Sequence, residues 1–390
     1  MIIPTLAVAS LVVWIYLLVG RGFFWRCAER LEADSPDNER SREGGWPRVT
    51  AIVPARDEAD AVGRAVDSLM RQDYRGSFRI LVVDDQSSDG TAGAASRAAA
   101  GDARLAVLRG ENPPAGWAGK VWAMQQGVAA ANASPEQPDF FLFVDADIVL
   151  AEGALRRLAS LALTRGAVLA SLMVKLRCES PAERWLVPAF IFFFQMLYPF
   201  SWVGDAHRKT AAAAGGCMLV DRGALAKTGD FAALRGALID DCALAAVMKR
   251  RGPIWIGLTQ DASSLRAYPN LADFGRMVAR SAFAQLRFST LRLVIVMAAM
   301  GVVFLAPPLL AVFAHGAPEA LGAAAWAIMA LVFVPTLRLY GRPAATCLAL
   351  PAIAAAYMMF TVRSALDFRA GRGGMWKGRV QARRTKAEGA

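Results

Sequence analysis

From Val49 onward, short apolar runs alternate with stretches of helical spacing. Residues 49–54, 79–84 and 105–108 read as strands. Residues 60–72, an alanine-rich stretch opened by the turn and cap formers of 85–91, and residues 121–131 read as helices. Strands alternating with helices predict an α/β fold, a mostly parallel, doubly wound Rossmann-like sheet with helices on both faces. The run 140–150 has five apolar residues before Asp145, which fits a strand covered on both faces. Asp145 and Asp147 then fall at its C-terminal edge, where open α/β sheets take their ligands. Residues i and i+2 of an extended strand point the same way, so both carboxylates could address one hard cation, while a plain turn after the strand, where Asp is common, stands beside that reading.

Longer apolar stretches flank this pattern. Residues 1–20 carry no charge and reach roughly 30 Å as a helix, the thickness of a hydrocarbon core. The arginines follow this stretch rather than precede it, which predicts a retained anchor and not a cleaved signal peptide. Residues 21–48 read as a tether, polar and proline-containing from Glu32 onward. Residues 49–265 read as a cytoplasmic domain interrupted at 185–204 by an aromatic, twice proline-broken segment, expected to lie as a helix pair in the membrane interface. Residues 270–287 are amphipathic, with Asn270 as cap. Leu271, Phe274, Val278, Ala282 and Leu286 form one stripe, and Arg276, Arg280 and Arg287 another. Residues 291–316 and 320–337 are expected to span. Residues 343–362 are long enough to span, but doing so would put the basic tail 363–390 outside, against the positive-inside tendency, so spanning and re-entrant readings both stand.

Composition adds a compartment. The 390 residues are 55% hydrophobic with a net charge of +11. The charge gathers beside apolar segments, at Arg21, Arg26 and Arg30 and from Arg363 onward, as cytoplasmic flanks facing anionic lipid do. With no zinc-finger spacing, RNA-binding aromatic signature or basic run in the middle of the chain, nucleic acid is not an expected partner. Five scattered cysteines without a Cys-x-x-Cys fit a reducing compartment. Two histidines argue against a histidine zinc site or triad. The expected location is a membrane, with the domain on the cytoplasmic side.

The candidate chemistry collects at the strand ends: Pro54, Ala55, Arg56 and Glu58 after the first, Asp84 and Asp85 after the second, then Lys120, Asp145 and Asp147. A lysine at a helix start opposes the helix dipole, and a negatively charged ligand would offset that. Gly215 and Gly216 suggest a close backbone approach before a strand. Asp240 and Asp241 open a helix, where capping accounts for only one of them.

These elements together resemble the family-2 glycosyltransferases, inverting enzymes of the GT-A type that use nucleotide sugars. Val82-Val-Asp-Asp-Gln-Ser-Ser-Asp-Gly-Thr91 is similar to the family's Val-Asp-Asp-Gly-Ser-x-Asp-Gly-Thr. Pro54-Ala-Arg-Asp-Glu58 resembles its opening nucleotide loop and Gly119-Lys-Val-Trp-Ala123 its Gly-Lys-x-x-Ala. Asp145-Ala-Asp147 resembles its Asp-x-Asp and Ile239-Asp-Asp-Cys-Ala-Leu244 its Glu-Asp-x-x-Leu. Within the family, the Gly-Trp-Ala-Gly-Lys loop, the aromatic block near Phe192, the Gly-Gly-Cys-Met strand and the stretch from Ser264 to Phe288 look like the hopene-associated glycosyltransferases of bacteria. Two departures stand out. The Glu-Asp pair is Asp240-Asp241, and the Gln/Arg-x-x-Arg-Trp motif has no full copy, since Arg276-Met-Val-Ala-Arg-Ser281 lacks the tryptophan. The second argues against a processive polymer synthase.

The resemblance implies donor binding by Pro54, Ala55, Arg56, Glu58, Asp85, Lys120, Asp145, Gly216, Arg276 and Arg280, with a UDP-sugar the leading donor. It implies Mg2+ or Mn2+ on Asp147 and Asp145. Asp241, beside Asp240, would be the base that takes the acceptor proton, and the acceptor would be a hopanoid or another polyisoprenoid lipid. Two other readings are a polyprenyl-phosphate sugar synthase and a membrane scaffold that keeps the fold without the chemistry.

Overall fold

A computed structural model describes residues 2–31, 45–237, 239–376 and 379–380. Residues 32–44 of the expected tether and most of the end of the basic tail, 377–378 and 381–390, lie outside the described residues. In chain order, helix α1 (Ile2–Val19) precedes strand β1 (Val49–Ala55), helix α2 (Ala59–Met70), strand β2 (Phe78–Asp84), helix α3 (Thr91–Ala98), strand β3 (Leu105–Arg109) and helix α4 (Gly119–Ala133). Next come β4 (Phe140–Val144), β5 (Ile148–Leu150), α5 (Ala154–Arg165), β6 (Leu169–Lys175), α6 (Pro181–Leu197) and α7 (Phe200–Gly204). They are followed by β7 (Cys217–Asp221), α8 (Arg222–Ala226), α9 (Asp240–Met248) and β8 (Ile254–Ser264). The remainder is mainly helical: α10 (Leu271–Gln285), α11 (Thr290–Met300), α12 (Ala306–Phe313), α13 (Ala317–Leu339) and α14 (Leu350–Arg369). Two compact units result, one from Glu29–Arg177 and Trp202–Arg266, the other from the first 28 residues, Cys178–Ser201 and the chain from Ala267 on.

The first unit is a mixed α/β unit built on one eight-stranded sheet in the order β3-β2-β1-β4-β7-β6-β8-β5. Six strands run one way, and β7 and β5 oppose them. The apolar runs become its centre because β1 and β4 are buried along their whole length, as strands covered on both faces must be. Pro54 sits in β1 between two neighbours, a place where a missing N–H usually costs a ladder bond. It is tolerated because the pairing of β1 with β4 ends at Ile52–Phe143, before the proline is reached. Helix α4 packs closely on this strand: a Cβ on Gly127 would stand 2.5 Å from Ile52 Cγ2.

The run 140–150 is not one strand. It breaks after Val144 into a turn, closed by Ile148 N–H donating to Asp145 O at 3.0 Å. The chain then leaves the sheet centre, and β5 pairs antiparallel with β8 at the far edge. The apolar alternation resumes at Ile148 and Leu150, both buried, so periodicity could not reveal the break. Asp145 and Asp147 therefore sit on a turn rather than on one face of an extended strand.

The second unit is helical. Among the described residues, four helices are long and apolar enough to cross a membrane: Ile2–Val19, Thr290–Phe313, Ala317–Leu339 and Ala344–Arg369. The last contains most of the segment that the sequence left open. Within the second span, Gly301–Leu305 widens into a π-helical turn. Pro307 cannot donate to Val303 O, and the indole Nε1 of buried Trp14 in α1 donates to that carbonyl instead, at 2.6 Å.

Helix α10 starts as expected, with Asn270 Oδ1 accepting from Asp273 N. Its buried face differs from the expected stripe, however. Phe274, Gly275, Val278, Ala279 and Phe283 are buried, while Leu271 is exposed. The face is set by α14: Ser364 Oγ donates to Ala279 O and accepts from Phe283 N, and Gly275 leaves room for the ring of Phe360.

Helix α6 opens with a capping box on Ser180 and Glu183. Glu183 is buried and does more than cap. Oε2 accepts from the backbone N–H groups of Glu179 and Ser180, both at 2.8 Å, and Oε1 accepts from Tyr268 N. Glu183→Ala would orphan these donors at about 1–3 kcal/mol each where water cannot replace the carboxylate. The expected result is a clear drop in the melting temperature of the solubilised protein, with Glu183→Gln intermediate.

Candidate active site

The loops that leave β1 and β2 form one ledge. Asp85 N–H donates to Ala55 O at 2.8 Å, which ties the loops at their roots. Asp57 adopts a left-handed conformation (φ 50°) and places its N–H on Ser87 Oγ at 2.9 Å. Its carboxylate accepts from Ser88 N, also at 2.9 Å. The start of α2 has no cap of its own, and the neighbouring loop supplies one: Glu58 N donates to Thr91 Oγ1 and Ala59 N to Asp89 Oδ2. Under the ledge lies Asp85, almost fully buried. Arg56 Nη1 donates to the Asp85 carbonyl at 2.5 Å and stands 3.7 Å from its carboxylate. Asp84 is used internally, its carboxylate accepting from Ser87 N at 3.1 Å.

A second cluster gathers where β4, α4, β7 and α9 begin or end. Lys120, the second residue of α4, places Nζ 2.6 Å from Asp145 Oδ1 and 3.7 Å from Asp240 Oδ2. The helix-start lysine is thus offset by carboxylates of the protein itself rather than only by a ligand. Gly215 N–H donates to Asp241 Oδ2 at 2.9 Å, and Cys242 N–H to Asp241 Oδ1 at 2.7 Å. Both oxygens of Asp241 are held by backbone, which fixes the carboxylate without neutralising it. A side chain at Gly215 would stand 3.3 Å from Asp241 Oδ2 and 3.4 Å from Lys120 Nζ. Gly216 is needed for a different reason: its carbonyl accepts from Asp145 N at 3.2 Å while a Cβ there would meet Val174 at 3.0 Å.

Burial acts against all of these charges. It would pull the Lys120 ammonium down, but Asp145, Asp240 and Asp241 outweigh it and raise its affinity for the proton, so the lysine stays charged. Burial, followed by the neighbouring Asp240 carboxylate, pushes Asp241 up to about 6, while Lys120 and the two backbone donors pull the other way. Oδ2 of Asp240 is buried and makes no hydrogen bond among the described residues. Its charge is met instead by the Lys120 ammonium, 3.7 Å away.

A third group was not legible as a site in the sequence. Arg266, just past β8, donates from Nε to Asp147 Oδ2 at 2.9 Å and from Nη2 to Glu58 Oε1 at 2.6 Å. Ser264 Oγ adds a donor to Asp147 at 3.3 Å. The signal in the sequence was slight, a single basic residue two positions after a strand end. The arginines expected at the site, Arg276 and Arg280, belong to the helical unit. Both are exposed on α10, and Arg276 pairs with Asp273 one turn away.

The donor set fits a hard divalent cation. Asp145 and Asp147 offer carboxylate oxygens from one three-residue turn, the ligand type that Mg2+ and Mn2+ prefer. No group of three or more His, Cys, Asp and Glu side chains with metal-holding geometry occurs among the described residues. Phosphate oxygens and water would therefore complete the shell, as is usual for Mg2+.

Among solved structures, the mannosyltransferase PcManGT of Pyrobaculum calidifontis, in complex with GDP-Man and Mn2+, is similar at a TM-score of 0.51 and 17% identity, over 92% of this chain and 99% of that one. The mannosyl-3-phosphoglycerate synthase of Rubrobacter xylanophilus matches at a TM-score of 0.41 and 18% identity, over 65% of this chain and 78% of its own. No curated protein sequence matches. A sequence profile described as glycosyltransferase like family 2 matches residues 47–254, more than half of the chain. That span holds the two loops, the Asp145 turn and the Asp240-Asp241 helix start, and so the chain belongs to glycosyltransferase family 2.

Proposed function

We propose that this chain is a membrane-bound inverting glycosyltransferase that moves a sugar from a nucleoside-diphosphate sugar, most simply a UDP-sugar, to the hydroxyl of a lipid, a hopanoid or related polyisoprenoid. The observation that carries the reading is Asp241: a carboxylate fixed by two backbone donors beside a buried lysine, with its proton affinity raised to about 6. General-base catalysis works best with a group tuned towards the operating pH. An acceptor phosphate is already ionised and needs no base, so a tuned Asp241 favours an alcohol acceptor over a polyprenyl phosphate. It also argues against a scaffold without chemistry. The four apolar helices support a lipid acceptor and a membrane location, with the α/β unit on the cytoplasmic side of a bacterial inner membrane.

In this mechanism, Asp85, Arg56 and Glu58 hold the base and ribose, on the backbone platform of Pro54 and Ala55. Asp147 and Asp145 would hold Mg2+ or Mn2+, which when bound would neutralise charge on the departing diphosphate, so that no protonating acid would be needed. The Mn2+ and GDP-Man bound by the Pyrobaculum enzyme are consistent with this choice. Lys120 adds fixed positive charge close to the reacting centre, and Gly216 lets the backbone approach the sugar. The acceptor oxygen attacks the anomeric carbon in line, its proton passes to the Asp241 carboxylate, and the bond to the diphosphate breaks with its electron pair leaving on phosphate. Asp240, whose Oδ2 faces Lys120 without a hydrogen bond, orients a hydroxyl of donor or acceptor. The test is a panel of UDP- and GDP-sugars given with polyisoprenoid lipid extract and Mn2+ to the purified protein. A new glycolipid in the mass spectrum is expected, and a product only with polyprenyl phosphate would replace the acceptor assignment.

A further inference from the structure

Arg266 joins two carboxylates that the proposed donor needs for different purposes. Glu58 belongs to the ribose side and Asp147 to the diphosphate side, and one guanidinium holds both, at 2.6 and 2.9 Å. The carboxylates are the sheltered partners, with side chains 15% and 12% exposed, while the arginine is 39% exposed. Asp147 is further pinned through its carbonyl, which accepts from Leu265 N at 2.8 Å. A long, solvent-accessible side chain can swing away by its own torsions, whereas the backbones that carry the two carboxylates are held, Asp147 through its carbonyl and Glu58 through its N–H on Thr91.

We propose that Arg266 is a stand-in cation. In the unliganded chain it occupies the ground between Asp147 and Glu58, and it must release both before the donor sits productively. The inference rests on the nucleotide-sugar reading of this site. Its consequence is energetic coupling: the first ligand to arrive displaces the guanidinium from one carboxylate, and the second meets a carboxylate already loosened. This coupling adds to the direct ligation of a metal by diphosphate. Once released, the planar fork is suited to two phosphate oxygens, which makes Arg266 a positioning residue for the donor.

The test is Mn2+ binding to the full-length solubilised protein without nucleotide, read from the loss of the free-ion signal in electron paramagnetic resonance. Arg266→Ala is expected to bind Mn2+ about tenfold more tightly than wild type, within the usual size of such couplings. Arg266→Lys keeps the charge but cannot fork across both carboxylates. It is expected to fall between the two, and it answers the question alone if the alanine variant does not fold. Unchanged or weaker binding in Arg266→Ala overturns the proposal. So does a lysine variant that matches wild type, since net charge would then explain any gain in the alanine variant. UDP and GDP binding is measured alongside. Intact nucleotide binding with unaltered Mn2+ affinity removes only the Arg266 proposal. A wild type that binds neither nucleotide, with or without Mn2+, removes the donor-site reading and this proposal with it.

Discussion

Asp241→Asn is expected to lower turnover by a factor of about 10²–10⁴, the usual contribution of a general base. Nucleotide affinity should stay near wild type, because in the proposed mechanism Asp241 acts on the acceptor proton and not on the nucleotide. The pH profile gives an independent check with a definite sign. Burial and then the Asp240 carboxylate raise Asp241 to about 6, so the competent, ionised form is lost as pH falls through about 6. An unperturbed aspartate would keep the enzyme active down to about 4. The acid limb of kcat/KM, which reports the free enzyme, is therefore expected near 6 in wild type and is expected to vanish in the residual activity of Asp241→Asn. Equal turnover by both proteins would remove Asp241 as the base.

Lys120→Met is expected to have the second large effect, on stability as well as rate. The lysine is four-fifths covered and stands between Asp145 and Asp240, with Asp241 also within its field. Removing one partner of a buried charge cluster costs about 3–5 kcal/mol, because the remaining charges are left without compensation. Partial solvent access and proton uptake by the carboxylates place this change at the lower end of that range. Protonation is the second readout. Without the ammonium, the terms that raise Asp241 are no longer opposed by it, so the acid limb of any remaining activity should move to higher pH. A variant that melts like wild type and keeps its pH profile would mean that Lys120 does not organise these carboxylates.

The sequence made the first half of the α/β unit legible because β1, β2 and β4 are dense apolar runs bounded by turn formers, with polar residues gathered at their ends, whereas β6 and β8 were not anticipated. Asp85, Lys120, Asp145 and Asp241 could be picked out in this way. A turn at Asp145–Asp147 was one of two open readings, but periodicity could not choose it, because the residues on both sides are apolar and buried and the same pattern serves one long strand or two short ones. The strand after Gly216 was expected and is β7, but its antiparallel direction was not, since direction leaves no mark on periodicity. Arg266 escaped because its significance lies in distance, not spacing: its partners are 119 and 208 residues away in sequence. On α10 the stripe was misplaced by one helical position for a comparable reason. Gly275, invisible to a hydrophobic count, is what admits Phe360 and fixes the buried face.

The most direct test of the account is the anomeric configuration of the glycolipid formed by the wild-type protein, read by nuclear magnetic resonance against the known configuration of the nucleotide sugar supplied. A single base and an in-line attack require inversion, and an inverted product is the expected result. A product of retained configuration would contradict the account. It would require either a covalent intermediate on a second carboxylate or attack from the face of the departing diphosphate, and in neither case would Asp241 have the role assigned to it.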